Sequence, residues 1–154
     1  MLTTKLHIHD YLESCKTSLL ESWRQKIIIS SNDPYQEKIL KNGELMFSII
    51  QKAIMTPYEE MRPQIEALAR RVSEERVAAE INIGEFVYNV SIGRSIISHQ
   101  LFQLDFKEKK LFTQEIFDNI NNCFDRFLYC AVSHYDELKN KIIEEKNSFI
   151  NQSH

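Results

Sequence analysis

The end of this chain places the tightest limit on its fold. From residue 111 to 149 the positions Ile116, Ile120, Cys123, Phe124, Phe127, Leu128, Ala131, Tyr135, Leu138, Ile142 and Phe149 recur at helical spacing on one broad face, with no glycine or proline to interrupt them. Close to 40 residues at 1.5 Å each make a rod of about 55–60 Å, whereas a compact chain of this length is only about 40 Å across. Either the end of the rod projects or it packs on a second copy. The stripe is more apolar than one partner helix needs, which favours a homodimer.

The rest of the chain reads as shorter helices. Three glycines and three prolines in 154 residues leave few places to break one. A first helix over 10–29 carries Tyr11, Leu12, Cys15, Leu19, Leu20, Trp23 and Ile27 inward, with Asp10 as its N-cap. The segment 30–34, SSNDP, breaks it, and Pro34 suits the first turn of a second helix striped by Tyr35, Ile39, Gly43, Met46, Phe47, Ile50 and Ile54. Thr56 and Pro57 end that one. A third helix starts near Tyr58 or Pro63 and turns Ile65, Leu68, Ala69, Val72, Arg76 and Ala79 to one side. A break over 82–84 restarts the helix as 81–104, followed by the charged turn DFKEKK and the long final helix, whose tail frays from 148 to 154. The expectation is one all-α domain over 1–154.

Several function classes are disfavoured. A net charge of −3 supplies no basic excess to displace counterions from phosphates, which argues against nucleic acid. No apolar run approaches the roughly 18 residues of a membrane span and the N-terminus is no signal peptide, so a cytoplasmic protein is expected. Cys15, Cys123 and Cys130 lack metal-ligand spacing and read as reduced core thiols. His7 and His9, two apart beside Asp10, make at best a weak metal site on an exposed N-terminus, so no metal is expected. His99 and His134 have no Cys or Ser at a useful spacing, and no hydrolase, P-loop or dinucleotide motif occurs. The chain does not read as an enzyme.

Two arginines stand out because they fall on apolar stripes. At about 100° per residue Arg94 shares a face with Ile83, Val87, Val90, Ile97 and Leu101, and Gly93, Ser91, Ser95 and Ser98 leave room around it. An unpaired guanidinium in a core costs several kcal/mol, so such an arginine calls for an anionic partner or a polar cavity. Arg94 is therefore the first candidate to anchor a bound carboxylate, its apolar neighbours housing a hydrocarbon tail. The alternative is that it pairs with an internal glutamate or points outward along its stem. Arg76 is the second candidate; Glu80 and Glu75 nearby offer it an ion pair within its own helix.

Helices of these lengths, the last two long, are compatible with a globin-like fold. Haem is disfavoured: the stretch 79–86 before the penultimate helix, AEINIGEF, offers no histidine, cysteine or methionine, although His99 could reach an iron from another side. The segments YLESCKTSLLESWRQKI, IEALARRVSEERVAAEINIGEFVYNVSIGRSI and IFDNINNCFDRFLYCAVSHYDELKNKI resemble the non-haem globin sensor domains of bacterial stressosome proteins. They resemble still more closely the sensor domain of a bacillus sporulation histidine kinase and its stand-alone, plasmid-encoded inhibitory relatives. The most specific piece is Glu85, an apolar run, then Arg94.

That resemblance implies a dimeric globin fold without haem, the long C-terminal helices at the dimer interface. It further implies an apolar tunnel for a fatty acid, and an arginine that engages the acid's head group beside a chloride ion. Carried onto this chain, Arg94 is the anchor with Arg76 second, and Ile65, Leu68, Val72, Val87, Val90, Ile97 and Leu101 line the tunnel. Tyr88, Asn82 and Ser91 are candidates for a polar chamber holding the anion. The expected function is a sensor-like domain that sequesters the fatty-acid signal of a related sporulation kinase. The alternative is a ligand-independent module that inhibits by forming heterodimers with the kinase's sensor domain.

Overall fold

The computed structural model describes residues 2–108 and 114–152, excluding the side chains of 2, 3 and 105–108. The described residues form five helices and no strand: α1 (Leu2–Lys26), α2 (Gln36–Ala53), α3 (Tyr58–Ala78), α4 (Ile83–Glu108) and α5 (Gln114–Gln152). The all-α expectation holds. α3 lies along α5 in the most extensive contact, while α1 packs on α2 and α4. One core joins all five helices, through Ile8 and Leu12, Phe47 and Ile50, Ile65 and Val72, Ile97 and Leu101, and Ile120, Phe124 and Phe127.

Boundaries moved where burial outweighed local signals. α1 begins at Leu2 rather than near Asp10, which sits mid-helix beside His9 (3.2 Å). Ile8, one turn before Leu12, is fully buried like it, so extending the helix buries another apolar side chain against the core. The N-terminal stretch expected to be exposed is thus helical from residue 2. α4 continues to Glu108 through the start of the expected turn, and the remainder of that turn, with the start expected for the last helix, lies outside the described residues. The tail expected to fray is helical to Gln152 and exposed.

Two turns are stapled by asparagines. Between α2 and α3, Asn119 of α5 accepts from Tyr58 N (2.8 Å) and donates to Ala53 O and Thr56 O (2.9 Å). After α3, Glu80 adopts φ 57°, the left-handed conformation that ends a helix. Ile81 N then reaches Arg76 O (3.2 Å) and Glu80 N reaches Val77 O (3.1 Å). Asn82 caps α4 by accepting from Gly84 N (2.6 Å).

The body ends before α5 does. Burial on α5 runs from Ile116 to Ala131, and Leu138 is the last partly covered side chain. Residues 139–152 are all exposed, Ile143 at 54% and Phe149 at 71% among them. The rod therefore projects past the body formed by the described residues.

Candidate functional site

The cavity of interest lies among all five helices, with α3 contributing Val72 and Arg76, and has a volume of about 90 Å³. By the measure in which one water needs about 10–15 Å³, it holds roughly six to nine water-sized groups. Its wall is almost wholly apolar, from Leu19, Met46, Phe47, Val90, Ile97 and Phe127. Ile28, 46% exposed, carries the wall to the surface. The chain's single tryptophan forms one side: a Cβ on Gly43 of α2 would come within 2.4 Å of the Trp23 ring, and one on Gly93 of α4 would come within 3.4 Å of Nε1. The two glycines make the slot in which the indole lies.

Into this wall project a few polar side chains, and three of them hold one segment. Asn89 accepts from Ile28 N (2.8 Å) and donates to Ile28 O (2.8 Å), while its own carbonyl accepts from Trp23 Nε1 (2.9 Å). Glu85 Oε1 accepts from Ser30 Oγ (2.6 Å). Arg76 Nη1 donates to Asp33 Oδ2 at 2.5 Å, in a pair whose side chains are 5% and 0% exposed. Asp33 Oδ1 takes Tyr35 N (2.7 Å), fixing the backbone where α2 begins. The α1–α2 loop, residues 27–35, is thus fastened by residues of α3 and α4 that face the cavity.

Arg76 carries the unfinished chemistry. It lies in the middle of α3's buried face, with Ile65, Ala69 and Val72 within about 40° of it. Its partner is Asp33, from a different segment, rather than the Glu80 or Glu75 of its own helix. Its Nη2 is buried with no hydrogen-bond partner. A cationic donor left open beside an apolar cavity suits an anionic group with a hydrocarbon tail.

Arg94 is placed elsewhere. Its Nη2 meets Asp125 Oδ1 at 2.7 Å, with the two side chains 30% and 66% exposed, and its guanidinium lies 5.0 Å from the centre of the Phe124 ring. Its Nε is buried without a partner, but the residue does not line the cavity. The outward, paired alternative describes it. Of the expected tunnel residues, Val72, Val90 and Ile97 line the cavity. Ile65, Leu68 and Leu101 are buried in the core away from it, and Val87 is half-buried. The expected polar chamber is not assembled: Tyr88 is 45% exposed, Ser91 donates to Val87 O (2.9 Å), and Asn82 is used as a cap.

The remaining chemistry-bearing groups stand apart. His99 is exposed and pairs with Gln103 (3.0 Å), and His134 lies 3.7 Å from both Glu74 and Glu137. The three cysteines are free, and burial pushes the Cys123 thiol up to about 11. Among the described residues no cluster of His, Cys, Asp or Glu could hold a metal, and no helix is long and apolar enough to cross a membrane.

Comparison with known proteins places the chain. The family model described as histidine kinase N terminal matches residues 5–137. This chain belongs to the histidine kinase N-terminal family. Within reach of that family, it is 34% identical over 130 residues to a Bacillus anthracis protein, pXO2-61, covering 84% of this chain and 92% of that protein. The crystal structure of the sporulation inhibitor pXO2-61 from Bacillus anthracis superposes with a TM-score of 0.73 at 30% identity, covering 86% of this chain and 97% of that one. The family match stops at 137, beside the last partly covered residue of α5. Sequence reasoning named Arg76 only second, singled out Glu85 only as the start of the pattern leading to Arg94, and missed Asp33 and Asn89. Asp33 was read as part of a breaker, though its position one residue before a proline already marked the backbone there as fixed.

Proposed function

We propose that this chain is a non-enzymatic sensor module, globin-like in fold, that takes an acid with a hydrocarbon tail into the cavity among its five helices and inhibits sporulation signalling. The carboxylate sits on Arg76 Nη2 rather than on Arg94. The observation that carries this reading is the buried, unpartnered Nη2 at the edge of an apolar cavity. The likeness to a sporulation inhibitor over most of both chains supplies the biological setting. In this reading, inhibition follows from removing the signal of a related sensor kinase. The chloride ion implied by the family resemblance has the same atom as its natural partner, so acid and chloride compete there.

Octanoate, with ten non-hydrogen atoms, fills the cavity and extends its chain end toward the exposed side at Ile28, and Trp23 on the wall reports its arrival. Titration should change Trp23 emission saturably; Arg76→Met should abolish the change, Arg94→Ala should keep it, and raising chloride should weaken it. Saturable binding lost in Arg94→Ala but kept in Arg76→Met refutes the assignment.

The exposed apolar residues of α5 beyond 138 favour a second reading, in which the module acts by pairing with the kinase's sensor domain. Mixed with that domain, a chain cut after residue 138 should still inhibit if sequestration operates, and should lose inhibition if pairing does.

A further inference from the structure

The cavity and the α1–α2 loop share their polar groups. Of the charged side chains that line the cavity, Arg76 and Glu85 each hold loop 27–35, Arg76 through Asp33 and Glu85 through Ser30. Asn89, also on the wall, pins Ile28 by both backbone groups. Asn42, also on the wall, is tied to Glu75 and Arg71 instead, so an occupant that meets either charged group of the wall, or Asn89, meets an anchor of that loop.

We propose that an anionic guest releases loop 27–35, so that the loop reports occupancy; this rests on the acid-binding reading given above. The driving force is charge. Arg76 is already neutralised by Asp33, and Glu85 lines the same cavity, so a guest carboxylate on Nη2 brings a third negative group to a cavity whose wall carries a single cation. Like charges at close range in a poorly solvated site strongly disfavour one another. Arg76 stays paired when one carboxylate replaces another, so the exchange avoids the several kcal/mol of an orphaned buried charge. Asp33 and Glu85 are free to give way only by loosening the loop, because Asp33 lies in it and Glu85 grips it. With Asp33 withdrawn, Tyr35 N loses its acceptor and the start of α2 loses its tie. An uncharged guest of the same shape fills the apolar space without adding the third carboxylate and leaves the loop fastened.

Amide hydrogen exchange on the full chain tests this, with Trp23 emission verifying binding in the same samples. Octanoate should speed exchange at residues 27–36 at least fivefold, and 1-octanol should not. Ser30→Ala, which removes Glu85's grip without disturbing the core, should exchange faster at those residues before any ligand is added and gain less from octanoate. Binding of octanoate without acceleration, or equal acceleration by octanol, overturns the loop's role and leaves the acid site standing. If octanoate fails to bind at all, the acid site falls and the loop's role with it.

Discussion

Replacing Asp33 by alanine removes the partner of a guanidinium that is 5% exposed and takes the acceptor from Tyr35 N. Breaking a buried pair from one side costs about 3–5 kcal/mol, because the remaining charge stays desolvated. In a chain of this size each kcal/mol moves the melting temperature by about 2–4 °C, so Asp33→Ala should melt roughly 10–15 °C lower. Arg76→Met should cost a similar amount for the mirror reason. The double variant should lie within about 2 kcal/mol of the parent, since an apolar pair tolerates this environment and only the Tyr35 contact is lost. Urea unfolding followed by helical circular dichroism gives all four corners of the cycle. A coupling of at least about 2 kcal/mol is expected; single variants that each cost under 1 kcal/mol, or losses that simply add, would refute the buried latch.

Four further outcomes follow from the geometry. Glu80→Gly should stabilise by about 0.5–1 kcal/mol in thermal melts, because a glycine adopts the left-handed conformation at 80 without a Cβ penalty. Gly43→Ala should push the Trp23 ring out of its slot, cost about 1–3 kcal/mol and weaken octanoate binding, both read by Trp23 fluorescence. Arg94→Ala, which breaks an exposed pair with Asp125, should change stability by less than about 1 kcal/mol in the same urea assay. Thiol reagents at pH 8 should modify Cys15 and Cys130 well before Cys123, whose raised ionisation and burial both protect it; mass mapping of the labelled peptides gives the order.

The helices were legible because period and breakers agree: SSNDP, Thr56–Pro57 and Asn82 all fall at or beside the observed ends. The inner face of α5 was legible for the same reason. On α4 the signal failed. Apolar residues cover well over half of its circumference, so periodicity alone offers two faces. Burial chose the one centred on Phe86, Val90, Gly93, Ile97 and Leu104, which leaves Arg94 about 70° off centre, near enough to water to meet Asp125. On α3 the buried face is unambiguous, and Arg76 was correctly placed on it. Its partner was invisible because Asp33 is 43 residues away and local spacing ranks only neighbours. The stapling roles of Asn89 and Asn119 are likewise long-range and leave no periodic trace.

The overhang of α5 has a mechanical consequence. Residues 139–152 extend about 20 Å past the last supported turn at 1.5 Å per residue. A tilt of about 10° where the rod leaves the body would sweep its tip by some 3–4 Å, about the thickness of a side-chain layer. Whatever grips that tip would feel small rearrangements of the body amplified, as the hand of a clock magnifies the turn of its axle.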